Sequence, residues 1–182
     1  MSAKKPSWSQ VKAILAQQEP KEVLKLVGDL YRLSKDNRVF IESRFLTGED
    51  ALEHYKQVIA DALYPDVYKN KPIRLSVGKK AISDYRKATG DDLGVLELMV
   101  HYLEQGNDFT AEYGDIDAQF YTSLESMLDQ ILAQLAGQNA EVMDQYIPRL
   151  DHVVIRAGGI GWGYHDYISD RLEEFLDQLN ES

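Results

Sequence analysis

Apolar side chains in this chain recur at steps of three and four residues almost from end to end, the spacing that lines one face of an α-helix. The clearest run is Phe120, Tyr121, Leu124, Met127, Leu128, Ile131, Leu132 and Leu135. Gly137 is expected to stop that helix, and Asn139 to cap the next one. Val23, Leu24, Val27, Leu30 and Tyr31 form a second stripe behind Pro20, a residue suited to a first helical turn. Leu52, Tyr55, Ile59, Ala62 and Leu63 form a third. It opens at Thr47-Gly48-Glu49-Asp50, where the Thr47 hydroxyl can accept the Asp50 amide, and closes before Pro65. Ile168, Leu172, Phe175, Leu176 and Leu179 make the last stripe.

Weaker patterns place further helices near residues 9–17, 36–46, 79–89 and 93–105. Pro148 predicts a kink or a fresh start in the helix that begins near 140. Residues 64–77 hold two prolines and 157–163 hold four glycines, so both read as irregular connections, and residues 1–8 read as a flexible N-terminus. Ile73, Leu75 and Val77 alternate too briefly, beside Pro72, to make a strand. The expected fold is one all-α domain over residues 1–182: about nine helices stacked as antiparallel hairpins, either a bundle or a short α-α superhelix. No fixed-period repeat is present.

Composition narrows the chemistry. The 182 residues include no cysteine, which excludes disulfides, thiol nucleophiles, iron–sulfur clusters and thiolate zinc sites. Two lysines follow the initial Met-Ser-Ala, but no apolar run comes after them, and no stretch approaches the ~20 apolar residues of a membrane span. A cytoplasmic protein without a membrane partner is expected.

Charge is divided unevenly. Residues 1–90 carry 17 lysines and arginines against 11 acids, net +6; residues 91–182 carry 3 against 19, net −16. Lys69, Lys71, Arg74, Lys79, Lys80, Arg86 and Lys87 supply seven cations within 69–87, against the single acid Asp84. Tyr68 and Tyr85 lie among them, and Gly78 stands where a helix over 79–89 would begin. Three readings follow: the cations balance the acidic half; they receive an acidic protein surface, including that of a second copy; or, with the tyrosines and a helix N-terminus, they hold a phosphate ligand or single-stranded nucleic acid. Net acidity disfavours nonspecific nucleic-acid binding by the molecule as a whole.

The segments Leu75 to Gly90, Leu30-Tyr31 with Asn37-Arg38, Phe40-Ile41 and Arg44-Phe45, and Tyr113-Gly114-Asp115-Ile116-Asp117 with Phe120-Tyr121 and Ser123-Leu124 are distinctive. Over residues 20–135 they resemble an uncharacterised bacterial family of small helical proteins, a domain of unknown function. The resemblance implies a helical bacterial domain and assigns no activity, ligand or catalytic residue.

Other motifs fall short of chemistry. Gly159-Ile160-Gly161-Trp162-Gly163 has Tyr164 where the dinucleotide fingerprint needs glycine, and lacks a preceding strand; a flexible connection with Trp162 packed on a neighbouring helix is expected. His54, His101, His152 and His165 form no helical metal pair. Among Glu112, Asp115 and Asp117, either aspartate is a natural N-cap for the Phe120 helix. The tyrosines on the apolar stripes (Tyr31, Tyr55, Tyr102, Tyr121, Tyr146) are expected to be half-buried. No cofactor is expected. The favoured function is a non-enzymatic protein-interaction or scaffolding module; the alternatives are nucleic-acid or phosphate binding by the same cations, and an enzyme using groups such as His165, Asp166 and Glu112.

Overall fold

The computed structural model describes residues 7–45 and 49–180. Among them are nine α-helices and no strand: α1 (Trp8–Leu15), α2 (Pro20–Leu33), α3 (Lys35–Phe45), α4 (Glu49–Leu63), α5 (Leu75–Thr89), α6 (Asp92–Tyr113), α7 (Ala118–Leu135), α8 (Ala140–Arg156) and α9 (Tyr164–Asn180). A single 3-10 turn, Val67–Lys69, sits between α4 and α5.

Short-range chemistry fixes the helix ends. Asp117 and Asn139 cap α7 and α8 by accepting the amides of Phe120 and Val142, at 2.8 and 3.0 Å. The tight turn from α5 to α6 uses Gly90 at φ +68°, a conformation open to glycine without a Cβ clash. Asp91 then accepts the Gly94 amide with one oxygen and the Tyr85 hydroxyl with the other.

Helix α6 is the axis of the assembly. It packs against α4, α5, α7 and α8, and α9 closes the far side against α7 and α8. Partner residues give the directions. Lys56 meets Glu97 and Tyr64 meets Glu112, so α4 runs parallel to α6. Tyr102 bonds Ser123 and Thr110 bonds Tyr121, so α7 runs antiparallel. Two glycines permit close packing of side chains from neighbouring helices. A Cβ on Gly78 would lie 2.6 Å from a Leu63 methyl and 2.8 Å from the Tyr102 ring, and one on Gly106 would lie 2.5 Å from a Leu124 methyl. One continuous core results, from Tyr55 on α4 to Phe175 on α9. This is a bundle around a central helix rather than a superhelix, in which each hairpin would touch only its neighbours.

Several expectations change. Helix α5 begins at Leu75 rather than 79, so Gly78 lies inside it and buried, and no helix N-terminus exists there to attract an anion. Helix α6 runs on to Tyr113, and α8 passes Pro148 as one element. Helix α7 ends at the right-handed Ala136, and Gly137 follows without a positive φ. Tyr55, Tyr102, Tyr121 and Tyr146 are buried rather than half-buried, because α6 has helices on both sides. Trp162 is exposed instead of packed on a helix, and its φ of +62° is unusual for a bulky side chain. Ser7 and Gln10 form a reciprocal capping box for α1, so Ser7 and Trp8 belong to a capped helix start rather than to a flexible segment. Residues 1–6 and the expected Thr47 cap lie outside the described residues.

Candidate interaction surface

Helix α5 turns its apolar side inward through Ala81, Ile82, Tyr85 and Ala88 and its charged side outward. Lys79 and Arg86 are seven residues apart, about two turns or 10 Å along the axis, and share the outer face. The structure sorts the seven predicted cations into two groups. Lys69 pairs with Asp66 at 2.9 Å, Lys80 bonds Asp84, and Lys87 approaches the same carboxylate at 4.0 Å. The Asp84 contact raises the Lys80 pKa above the ordinary lysine value, and the Asp66 contact does the same for Lys69. Lys71, Arg74, Lys79 and Arg86 are exposed and form no ion pair among the described residues. Among the described residues, none of the seven pairs with the acidic half.

The tyrosines among these cations part company. Tyr68 is 93% exposed, whereas Tyr85 is buried, rings edge-on to Tyr55 at 5.4 Å. Its hydroxyl is committed to Asp91, and burial with that bond pushes its pKa up to about 12. The face of α5 therefore offers charge without a row of stacking rings.

At its C-terminal end this face meets an apolar groove that sequence reasoning did not identify. Helices α2 and α3 form an antiparallel hairpin, tied by the Tyr31 hydroxyl on Glu42 at 2.5 Å and the Asn37 side-chain amide on the Leu30 carbonyl at 2.9 Å. Arg44 docks α3 onto α5 by donating to the carbonyls of Lys87 and Ala88, at 3.0 and 3.1 Å. Val27, Leu30, Phe40, Ile41 and Phe45 line the groove, with Arg44 and Lys87 on its rim and a cavity volume of about 570 Å³. Phe45 is 75% exposed, and Leu30 and Phe40 about 42 and 41%.

A second cleft, on α6, collects titratable groups that also lay outside the sequence reading. Glu97 receives Lys56 at 2.6 Å and Arg149 at 2.5 Å, and Arg149 reaches Glu104 with two further bonds at 2.8 Å. Burial works to raise the Glu97 pKa, but the two cations outweigh it and hold the carboxyl below its ordinary range. Burial, with Glu97 nearby, pushes the adjacent Tyr146 hydroxyl up to about 12. Two cations face two carboxylates, each already bonded, so this network fastens α4 and α8 to α6 and leaves no poised acid or base.

The groups named for an enzyme have these partners. His165 has its neighbour Asp166 at 3.4 Å, and Glu112 accepts the Tyr64 hydroxyl. No group of three or more potential metal ligands gathers among the described residues. The glycine segment makes a pinned turn: the Gly161 amide donates to Asp115 at 3.3 Å, and the buried Tyr164 hydroxyl donates to Asn107 at 3.2 Å. No helix among the described residues is long and apolar enough to cross a membrane. Comparison with protein-family models, curated proteins and solved structures finds no match.

Proposed function

We propose that this protein is a helical interaction module that receives an acidic protein surface on the outer face of α5. One observation carries the reading: Lys79 and Arg86 on α5, a helix rigidly packed against the core, and Lys71 and Arg74 in the segment that leads into it stand exposed, without a counter-ion among the described residues. Fixed, unneutralised charge steers an oppositely charged partner and sets its orientation. The same cations would also attract nucleic acid, but single-stranded ligands draw on aromatic stacking, and only Tyr68 of the two nearby tyrosines is accessible. The uncharacterised bacterial family resembled by residues 20–135 adds no activity to this reading.

Poly-glutamate and a single-stranded oligonucleotide of equal charge serve as probes in anisotropy titrations. Poly-glutamate should bind at low salt. Changing Lys71, Arg74, Lys79 and Arg86 together to Glu should weaken that binding by about tenfold or more. Binding that survives the four changes sinks the proposal, and tighter, steeply salt-dependent binding of the oligonucleotide transfers the face to nucleic acid.

A further inference from the structure

We propose that the α2–α3 groove seats an acidic amphipathic helix of a partner protein, its apolar edge against Leu30, Phe40 and Phe45 and its carboxylates on the Arg44–Lys87 rim. This deepens the interaction reading and rests on it. Within α4–α9 neighbouring helices cover one another: α4 and α5 pack on α6, and α6 and α7 meet α8 and α9. The α2–α3 hairpin is different. Its α2 has no buried residue, and α3 buries only Ser43. Yet α2 carries as clear an apolar stripe as the covered helices. A helix laid along an apolar groove is the ordinary complement of such a hairpin.

Charge selects the occupant. Lys87 belongs both to the groove and to the cationic face of α5, and Arg86 beside it is exposed and unpaired. The acids nearby are engaged: Glu42 accepts Tyr31, and Asp84 lies against Lys80 and Lys87. An incoming helix with glutamates or aspartates flanking its apolar edge would gain at the rim, and a basic one would be repelled. A second copy does not supply such a helix. The acidic helices α7 and α9 already bury their apolar stripes, Phe120 to Leu135 and Ile168 to Phe175, in their own core.

The probe is a fluorescein-labelled peptide of about 18 residues, with leucines at helical spacing and glutamates on the remaining face. One control peptide replaces every glutamate with lysine. The expected result is saturable binding of the acidic peptide, weakened about tenfold by the pair Leu30→Gln and Phe40→Gln and about as much by Lys87→Glu. The pair Lys71→Glu and Lys79→Glu, distant from the groove, should change it little while weakening poly-glutamate. Circular dichroism checks that each variant keeps its helix content. No binding of the acidic peptide, equal binding of the lysine peptide, or loss confined to Lys71→Glu and Lys79→Glu overturns the inference. So does a wild-type dimer in light scattering that the groove variant converts to monomer, since a second copy would then be the occupant. If poly-glutamate binds and the peptide does not, the inference falls and the interaction reading stands; if neither binds, both fall.

Discussion

Helices α2 and α6 obey the same rule and meet different fates. Both carry apolar residues at helical spacing, yet α6 buries twelve residues while α2 buries none. Leu98, Val100 and Leu103 on α6 are fully sequestered, whereas Leu24 and Leu33 on α2 are 72 and 75% exposed. The difference is tertiary: α6 has helices on several sides, and α2 packs chiefly on α3. Amphipathicity declares that a face needs covering, and does not say whether this chain covers it. The hairpin end of the molecule thus leaves apolar side chains in water that the α4–α9 block would bury.

The largest effect that would break this contrast comes from paired leucine truncations. Leu103→Ala removes a side chain from a fully packed site and should cost about 2–5 kcal/mol of unfolding free energy. Leu24→Ala removes one already in water and should stay within about 0.5 kcal/mol. Chemical denaturation of both variants measures the difference. Equal losses would mean that the α2 face is covered in solution and that the comparison is wrong.

Glycine sharpens the contrast with opposite signs. Gly78→Ala forces a methyl to within 2.6 Å of Leu63 and 2.8 Å of the buried Tyr102 ring, which cannot retreat, and should destabilise by about 1–3 kcal/mol. Gly28 on α2 meets only the Arg32 guanidinium, 3.7 Å away, with ample room. Gly28→Ala should therefore stabilise the α2 helix by up to about 1 kcal/mol, since alanine loses less backbone entropy there. Thermal unfolding followed by circular dichroism reads the first change, and amide hydrogen exchange along residues 20–33 reads the second.

How far the sequence carried the fold follows from the same physics. Helical spacing and capping residues are local signals, so the stripes of α4, α7 and α9 and the caps Asp117 and Asn139 were legible. The start of α5 was not, because Gly78 resembles a boundary and Arg74 makes no side-chain cap. The signal was nonetheless present: Leu75, Gly78, Ile82 and Tyr85 continue one stripe at steps of three and four, which puts Gly78 against Tyr102 and takes Tyr85 indoors. Of the candidate surface, the unpaired cations could be counted from sequence. Their freedom could not, since Asp66 and Asp84 had to be placed before Lys69 and Lys80 could be set aside and Lys87, 4.0 Å from Asp84, seen to be held only loosely. Phe40, Arg44 and Phe45 stood out only as part of a resemblance, because a groove belongs to two helices and a third that docks them.

The smallest expected effect separates the two regions by pH. Residues 7–45 contain no histidine, whereas His101 sits on α6 with its ring 3.2 Å from the Lys56 carbonyl. Burial lowers its pKa below the ordinary histidine value, and Lys56 assists while Glu104 and Glu97 oppose. A histidine held neutral in the fold stabilises fully above its unfolded pKa, and that contribution is lost as pH falls through the ordinary range, about 6.5. The His101 contribution to the melting temperature should therefore decline from pH 7.5 toward about 5.5. His101→Gln, which keeps a donor for the Lys56 carbonyl and cannot charge, should flatten that slope. Global charge acts the other way, because the chain carries a net charge of −10 at neutral pH and loses repulsion on acidification. The difference between wild type and His101→Gln cancels that shared term. A slope unchanged by His101→Gln would take the acid response out of α6 and leave the two ends of the molecule alike in this respect.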